Sequence, residues 1–237
     1  MAGHVVDTLR HDSLFSANGF SQSGLEIDLV GAGATGSPVG LGLAKLGVED
    51  ANVWDMDKIE PHNIANQAYI MSQIGDYKAT ALCEVIKENT GHDWKPYKEE
   101  VDGSQEMGDI VFLLTDTMKS RKEIFDKAIK NNVKTKLLIE TRMGPDNGRI
   151  YTINPQSPRE VEAYSNTLYS DEEAEVSACG TSITVGATAN VIANMAIWQF
   201  MRWYGQFSDH EKYKEEVLEN EIIIGLKGSM VLISKTF

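Results

Sequence analysis

Leu25-Glu26-Ile27-Asp28-Leu29-Val30-Gly31-Ala32-Gly33-Ala34-Thr35-Gly36-Ser37-Pro38-Val39 decides how this chain is read. Residues 26–30 form a short apolar run ending in glycine, the pattern of a buried strand. The glycines then permit a tight turn and a close backbone approach to a bound group. Pro38 stands just inside the next helix, where its missing N–H costs nothing. Val39, Leu43 and Leu46 recur at helical spacing until Gly47 stops the helix. A glycine-rich loop between a strand and a helix aims free N–H groups at a phosphate. The alternative reading, a tight turn that holds no ligand, has no use for that placement.

Outward from the loop, strands and helices alternate. Residues 51–54 read as a second strand with Asp55 at its carboxyl end, and 78–88 as a helix burying Leu82, Val85 and Ile86. Residues 109–114 make a third apolar strand running into Asp116. A helix through Ile124, Phe125, Ala128 and Ile129 leads to a strand at 137–140. The alternation predicts an α/β, Rossmann-like, doubly wound and mostly parallel sheet. Its ligand should lie beyond the strands' carboxyl ends, where Gly31, Asp55 and Asp116 meet.

After Gly144 the pattern changes to added antiparallel strands. Residues 149–154 read as a strand, and 221–224 with 230–233 as a hairpin around Gly225 and Gly228. Residues 156–178 are polar and acidic and read as a crossover loop. An apolar helix is expected at 181–203 and a solvated helix at 209–220. Residues 1–23 are expected to be an N-terminal arm and the whole of 1–237 a single nucleotide-binding domain.

Composition narrows the function classes. The chain has 237 residues, 42% apolar and 24% charged, as in an ordinary globular protein. A formal charge of −13 argues against a surface that tracks nucleic-acid phosphates. Cys83 and Cys179 are too few for a disulfide framework or a paired-cysteine zinc site, so a reducing, cytoplasmic setting is expected. The start lacks the basic-then-apolar order of a signal peptide. Residues 184–200 are interrupted by Asn190, Asn194 and Gln199, so they read as a core helix rather than a membrane span.

Asp55 lies near the roughly 20-residue offset of a ribose-binding acid, which suits ATP and NAD alike. The polar residues that follow it are more specific. Gly31-x-Gly33-x-x-Gly36, then Asp55-x-Asp57, Asn63, Asn66-Gln67, Gly75-x-x-Lys78 and Leu114-Thr-Asp116, resemble the ThiF/MoeB superfamily, which includes the ubiquitin-activating enzymes. The resemblance runs over about residues 24–204.

That resemblance implies an ATP- and Mg²⁺-dependent adenylyltransferase activating the C-terminal glycine of a ubiquitin-like or sulfur-carrier protein, and a homodimer. It implies that Gly31, Gly33, Ala34 and Gly36 cradle phosphates, with Asp57 nearby. Asp55 holds the ribose, Asn63 and Gln67 line the phosphate region, Lys78 contacts the phosphates and Asp116 holds Mg²⁺. Cys179 falls where members place a thiol able to take the acyl group, and Arg10 where they lend an arginine to a partner's site. One departure stands out: the family pattern has arginine before the glutamine, and here the residue is Asn66. Asparagine has neither the charge nor the fork of a guanidinium. A lost charge-assisted contact of this kind costs about 3–4 kcal/mol of transition-state stabilisation. Two other classes therefore stay open, a non-catalytic nucleotide-binding scaffold and an NAD-dependent oxidoreductase.

Overall fold

The computed structural model describes residues 5–169 and 185–237. An eight-stranded sheet runs in the order β3-β2-β1-β4-β5-β6-β7-β8. The parallel strands are β1 (Ile27–Val30), β2 (Asn52–Trp54), β3 (Lys95–Tyr97), β4 (Ile110–Leu113) and β5 (Leu137–Met143). Antiparallel strands β6 (Asn147–Ile153), β7 (Glu221–Gly225) and β8 (Val231–Lys235) extend the sheet. This is the mostly parallel, Rossmann-like sheet with late antiparallel strands that the pattern predicts. The sequential order of the strands reverses between β1 and β4, the place where such sheets open a crevice.

Neighbouring residues on the central strands face opposite ways and feed two cores. Ile27, Leu29, Phe112 and Ile139 meet helices α1 (Ala17–Ser23), α2 (Gly36–Leu46), α3 (Lys78–Thr90) and α6 (Gly186–Phe207). Val30, Val111, Leu113 and Leu138 meet α4 (Met118–Ile124), a π-helical turn continuing it (Phe125–Ile129), and α5 (Pro158–Ser165). Burial on both faces explains why these strands read as largely apolar rather than alternating, with buried Asp28 interrupting β1. No helix among the described residues is long and apolar enough to cross a membrane.

Several expectations change. Part of the expected arm is built into the fold: Phe15, Ala17 and Phe20 are buried, and Phe20 packs edge-on to Phe200 and Tyr204. Within the expected crossover loop, Pro158–Ser165 is helical. Ser157 caps it by accepting the Glu160 N–H, Pro158 begins it, and Val161 and Tyr164 bury one face. Residues 170–178 of that loop, and the start of the helix expected at 181–203, lie outside the described residues. Residues 209–220 form turns instead of a helix, and Asp209 adopts a left-handed φ of 54°. Strand β3 went unread because its Lys95-Pro96-Tyr97 is short, largely exposed and carries a proline, as an edge strand can.

Candidate functional site

A cleft of about 1600 Å³ opens beyond the carboxyl ends of β1, β2, β4 and β5. A smaller surface depression on α6, around Met195 and Trp198, carries no ionisable side chain. The chemistry therefore belongs to the large cleft.

The glycine loop forms one wall. Gly31 has φ 96°, and a Cβ there would come within 2.7 Å of the Leu114 carbonyl. At Gly36 a Cβ would meet the Gly31 carbonyl at 1.9 Å, so this glycine serves the strand–helix turn and does not line the cleft. Gly33 is different: nothing lies within 4 Å of an added Cβ, and the residue faces the cleft with Ala34 and Thr35. The loop is tied down from below. Ser37 Oγ donates to the Gly33 carbonyl at 2.8 Å, and Tyr69 Oη lies 2.6 Å from the Ala32 carbonyl and 3.2 Å from that of Lys78.

Asp55, at the end of β2, accepts hydrogen bonds from the Ala32 N–H (2.7 Å) and the Asp57 N–H (2.8 Å). Burial raises its pKa above the ordinary 3.8, an effect the Ala32 N–H and the Lys78 charge oppose in part. The Lys78 ammonium, at the first turn of α3, pairs with the Asp57 carboxylate at 2.9 Å, and the Lys78 N–H also donates to the Asp57 carbonyl. The lysine side chain is 11% exposed and its partner 58%, so the cation sits inside and the acid at the rim. An entering anion would compete with Asp57 for this ammonium.

Asn63 is buried and uses its amide oxygen to accept the Glu60 N–H at 2.9 Å, capping a short 3₁₀ turn. The next two residues behave differently. Asn66 Oδ1 and Gln67 Oε1 line the cleft, are closed off from solvent and have no partner among the described residues. Thr115 Oγ1, beside Asp116, is in the same condition. Orphaned buried oxygens fit a site that completes its hydrogen bonds with a polar ligand.

Asp116 is exposed at the end of β4 and lines the cleft with the loop, Asp55, Asp57 and Lys78. No group of three metal-ligating acids, histidines or cysteines occurs among the described residues. A lone carboxylate such as Asp116, exposed on the cleft, is the kind of ligand that can hold Mg²⁺ together with phosphate oxygens. Arg10 is exposed in an N-terminal turn and does not line this cleft. Cys179 lies outside the described residues. Cys83 is buried, and burial pushes its thiol up to about 12, which matches a structural cysteine.

Sequence reasoning passed over the opposite wall. Arg121, in α4, donates to the Thr115 and Thr141 carbonyls, so it clasps the ends of β4 and β5. Its Nε lies 3.1 Å from Glu140 Oε1, although the N–H does not point along that line. Arg142 donates from Nε to both oxygens of the fully buried Glu140, reaches Thr167, and stacks over the Tyr151 ring at 4.4 Å. Burial alone would lower the Arg142 pKa, but Glu140 and its neighbours raise it on balance. The clasp made by Arg121 joins residues far apart in sequence and left no mark in the linear pattern.

A model of the ThiF family matches residues 22–229. The chain belongs to the ThiF family. Solved structures agree on the fold. E. coli MccB in complex with AMPCPP and MccA superposes with a TM-score of 0.67 at 16% identity, covering 96% of this chain and 66% of that one. MccB with ATP gives 0.65 at 15% identity over the same shares. PaaA gives 0.65 at 15%, covering 99% of this chain and 86% of that one. The chain thus spans just under two thirds of the length of MccB, and at these identities the likeness is one of fold. No curated protein sequence matches the chain.

Proposed function

We propose that this ThiF-family chain is an adenylating enzyme. A carboxylate oxygen at the C-terminus of a ubiquitin-like protein, sulfur carrier or related peptide attacks the α-phosphorus of ATP. The bond from that phosphorus to the bridging oxygen breaks, and pyrophosphate leaves from an acyl-adenylate. The observation that carries this reading is that Lys78 and Asp116, distant in sequence, line one cleft with the glycine loop and Asp55. MccB supports it as a relative in fold crystallised with ATP and with the polypeptide MccA.

In this reading Gly31, Gly33 and Ala34 approach the phosphates, Asp55 accepts from the ribose, and Lys78 exchanges Asp57 for a phosphate. Gln67 and Asn66 supply amide contacts to the same region. Asp116 would hold Mg²⁺, which neutralises charge as pyrophosphate departs. The whole chain acts as one adenylation unit. A second copy would bring Arg10 to its partner's site, and Cys179 would receive the activated acyl group.

The test is ATP–pyrophosphate exchange across a panel of carrier proteins and C-terminal peptides. Asp116→Ala should abolish exchange while the protein stays folded; full exchange in that variant removes the metal assignment. The non-catalytic alternative is favoured by Asn66, and by two cleft arginines already engaged with Glu140. ATP binding with no exchange on any carrier would decide for it.

A further inference from the structure

Charge is segregated along the cleft. Among the described residues, the half bounded by β1–β4 is lined by six carboxylate residues and two lysines. Among the described residues, the half bounded by β5–β8 is lined by Arg142, Arg149 and Lys235 with one carboxylate, Glu221, and Arg121 of α4 stands at its edge between β4 and β5. Two acids, each shared by a pair of cations, account for the local ion pairs. Arg149 Nη1 and Lys235 Nζ lie 2.8 and 2.9 Å from the two oxygens of Glu221, whose first oxygen also accepts from Tyr151 at 2.9 Å. Glu140 accepts from Arg142, and the Arg121 guanidinium lies beside it at 3.1 Å without a hydrogen bond from Nε. Among the described residues each pair leaves about one positive charge unmatched.

Strand register puts these groups on one face. Arg142 stands opposite Arg149 across β5 and β6, Tyr151 opposite Glu221 across β6 and β7, and Glu221 opposite Lys235 across β7 and β8. Two arginines directly opposite each other repel unless an anion lies between or beside them. Glu221 is buried, with its side chain 4% exposed, while Arg149 and Lys235 are 48% and 53% exposed. Their donors are therefore reachable from the cleft. The body of the protein, at −13, repels acidic polypeptides elsewhere.

We propose that the β5–β8 wall receives an acidic side chain in the C-terminal tail of the polypeptide being activated. Tail acidity then becomes a determinant of substrate choice. The inference rests on the adenylating reading of the same cleft. The nucleotide belongs to the other half, where the glycine loop and Asp55 stand. A volume of about 1600 Å³ exceeds the roughly 300–1,000 Å³ of a single small-molecule site, which leaves room for a second occupant.

The test uses fluorescein-labelled peptides ending in Gly-Gly, with either a Glu-Glu or a Gln-Gln pair ahead of it. They are titrated with the full chain without ATP, at low and at physiological ionic strength. The acidic peptide should bind about tenfold more tightly at low salt, with the ratio shrinking as salt rises. The double variant Arg149→Gln/Lys235→Gln should bring the ratio close to one. Glu221→Gln, which keeps the shape and removes the matching carboxylate, should raise it. ATP affinity measured by calorimetry should be unchanged in both variants. Equal binding of the two peptides, or a ratio that ignores these substitutions, overturns the proposal. So does a fall in ATP affinity in the double variant, which would assign the cations to phosphates. Acidic-peptide preference without pyrophosphate exchange on any carrier would remove the adenylating reading and leave the acidic-tail site standing.

Discussion

At the scale of single residues, the polar groups of the cleft hold one another in readiness for a ligand. Asp57 keeps Lys78 paired, and Ala32 keeps Asp55 oriented. Glu221 has a consequence for stability as well as for binding. Burial pushes its carboxyl up, but hydrogen bonds from Lys235, Tyr151 and Arg149 outweigh that and hold it below the ordinary 4.5. For an acid with a depressed folded pKa, the stability it contributes is present above 4.5 and lost as pH falls through the folded value. Thermal melts from pH 7 down to pH 3 should therefore show a smaller acid-induced drop in Glu221→Gln than in the wild type. An identical drop would mean that Glu221 does not gain its partners on folding. Single residues were partly legible in advance. Asp55, Lys78 and Asp116 stood out because motif spacing marks them. Arg121, Arg149, Lys235 and Glu221 did not, because their meaning arises only from neighbours far away in sequence.

At the scale of elements, the strand–loop–helix from Ile27 to Leu46 separates folding from binding within one loop. Gly31→Ala would force a side chain onto φ 96° and against the Leu114 carbonyl. We expect a loss of roughly 2 kcal/mol or more, a fall of about 4–8 °C in Tm. Gly33→Ala meets open space, so stability should stay within about 0.5 kcal/mol of wild type. Its methyl group would occupy the approach to the phosphates, and ATP affinity should drop about tenfold. Calorimetry on both variants separates the two roles; a strongly destabilised Gly33→Ala would show the loop to be tighter than this. Helix α2 was readable from its clean period, and β4 from its apolar run. Helix α5 was hidden because only Val161 and Tyr164 mark its buried face within a polar stretch. The expected helix at 209–220 failed because its charges alone provide no apolar face to anchor it, while Tyr213 is buried within turns.

At the scale of the whole molecule, the eight-stranded sheet opens its crevice between β1 and β4 and lays a second, cationic wall along β5–β8. A ligand bound by the folded state alone raises apparent stability. ATP with Mg²⁺ at about 100 times its Kd should add roughly 2.7 kcal/mol, a rise of about 5–10 °C in Tm, and NAD should add little. The reverse order in a thermal-shift comparison would restore the oxidoreductase reading and remove the adenylating one.

Local periodicity and motif spacing were enough to establish the α/β class and to single out the glycine loop, Asp55, Lys78 and Asp116, which line one cleft. The glycine loop and the period of each element are encoded by residues within a turn or two of one another. The order of the strands, the Arg121 clasp and the pairing of Arg142 and Arg149 across β5 and β6 were decided by the tertiary structure. Register brings side chains together irrespective of their distance along the chain, and charge acts through space, so neither can be read from a linear pattern.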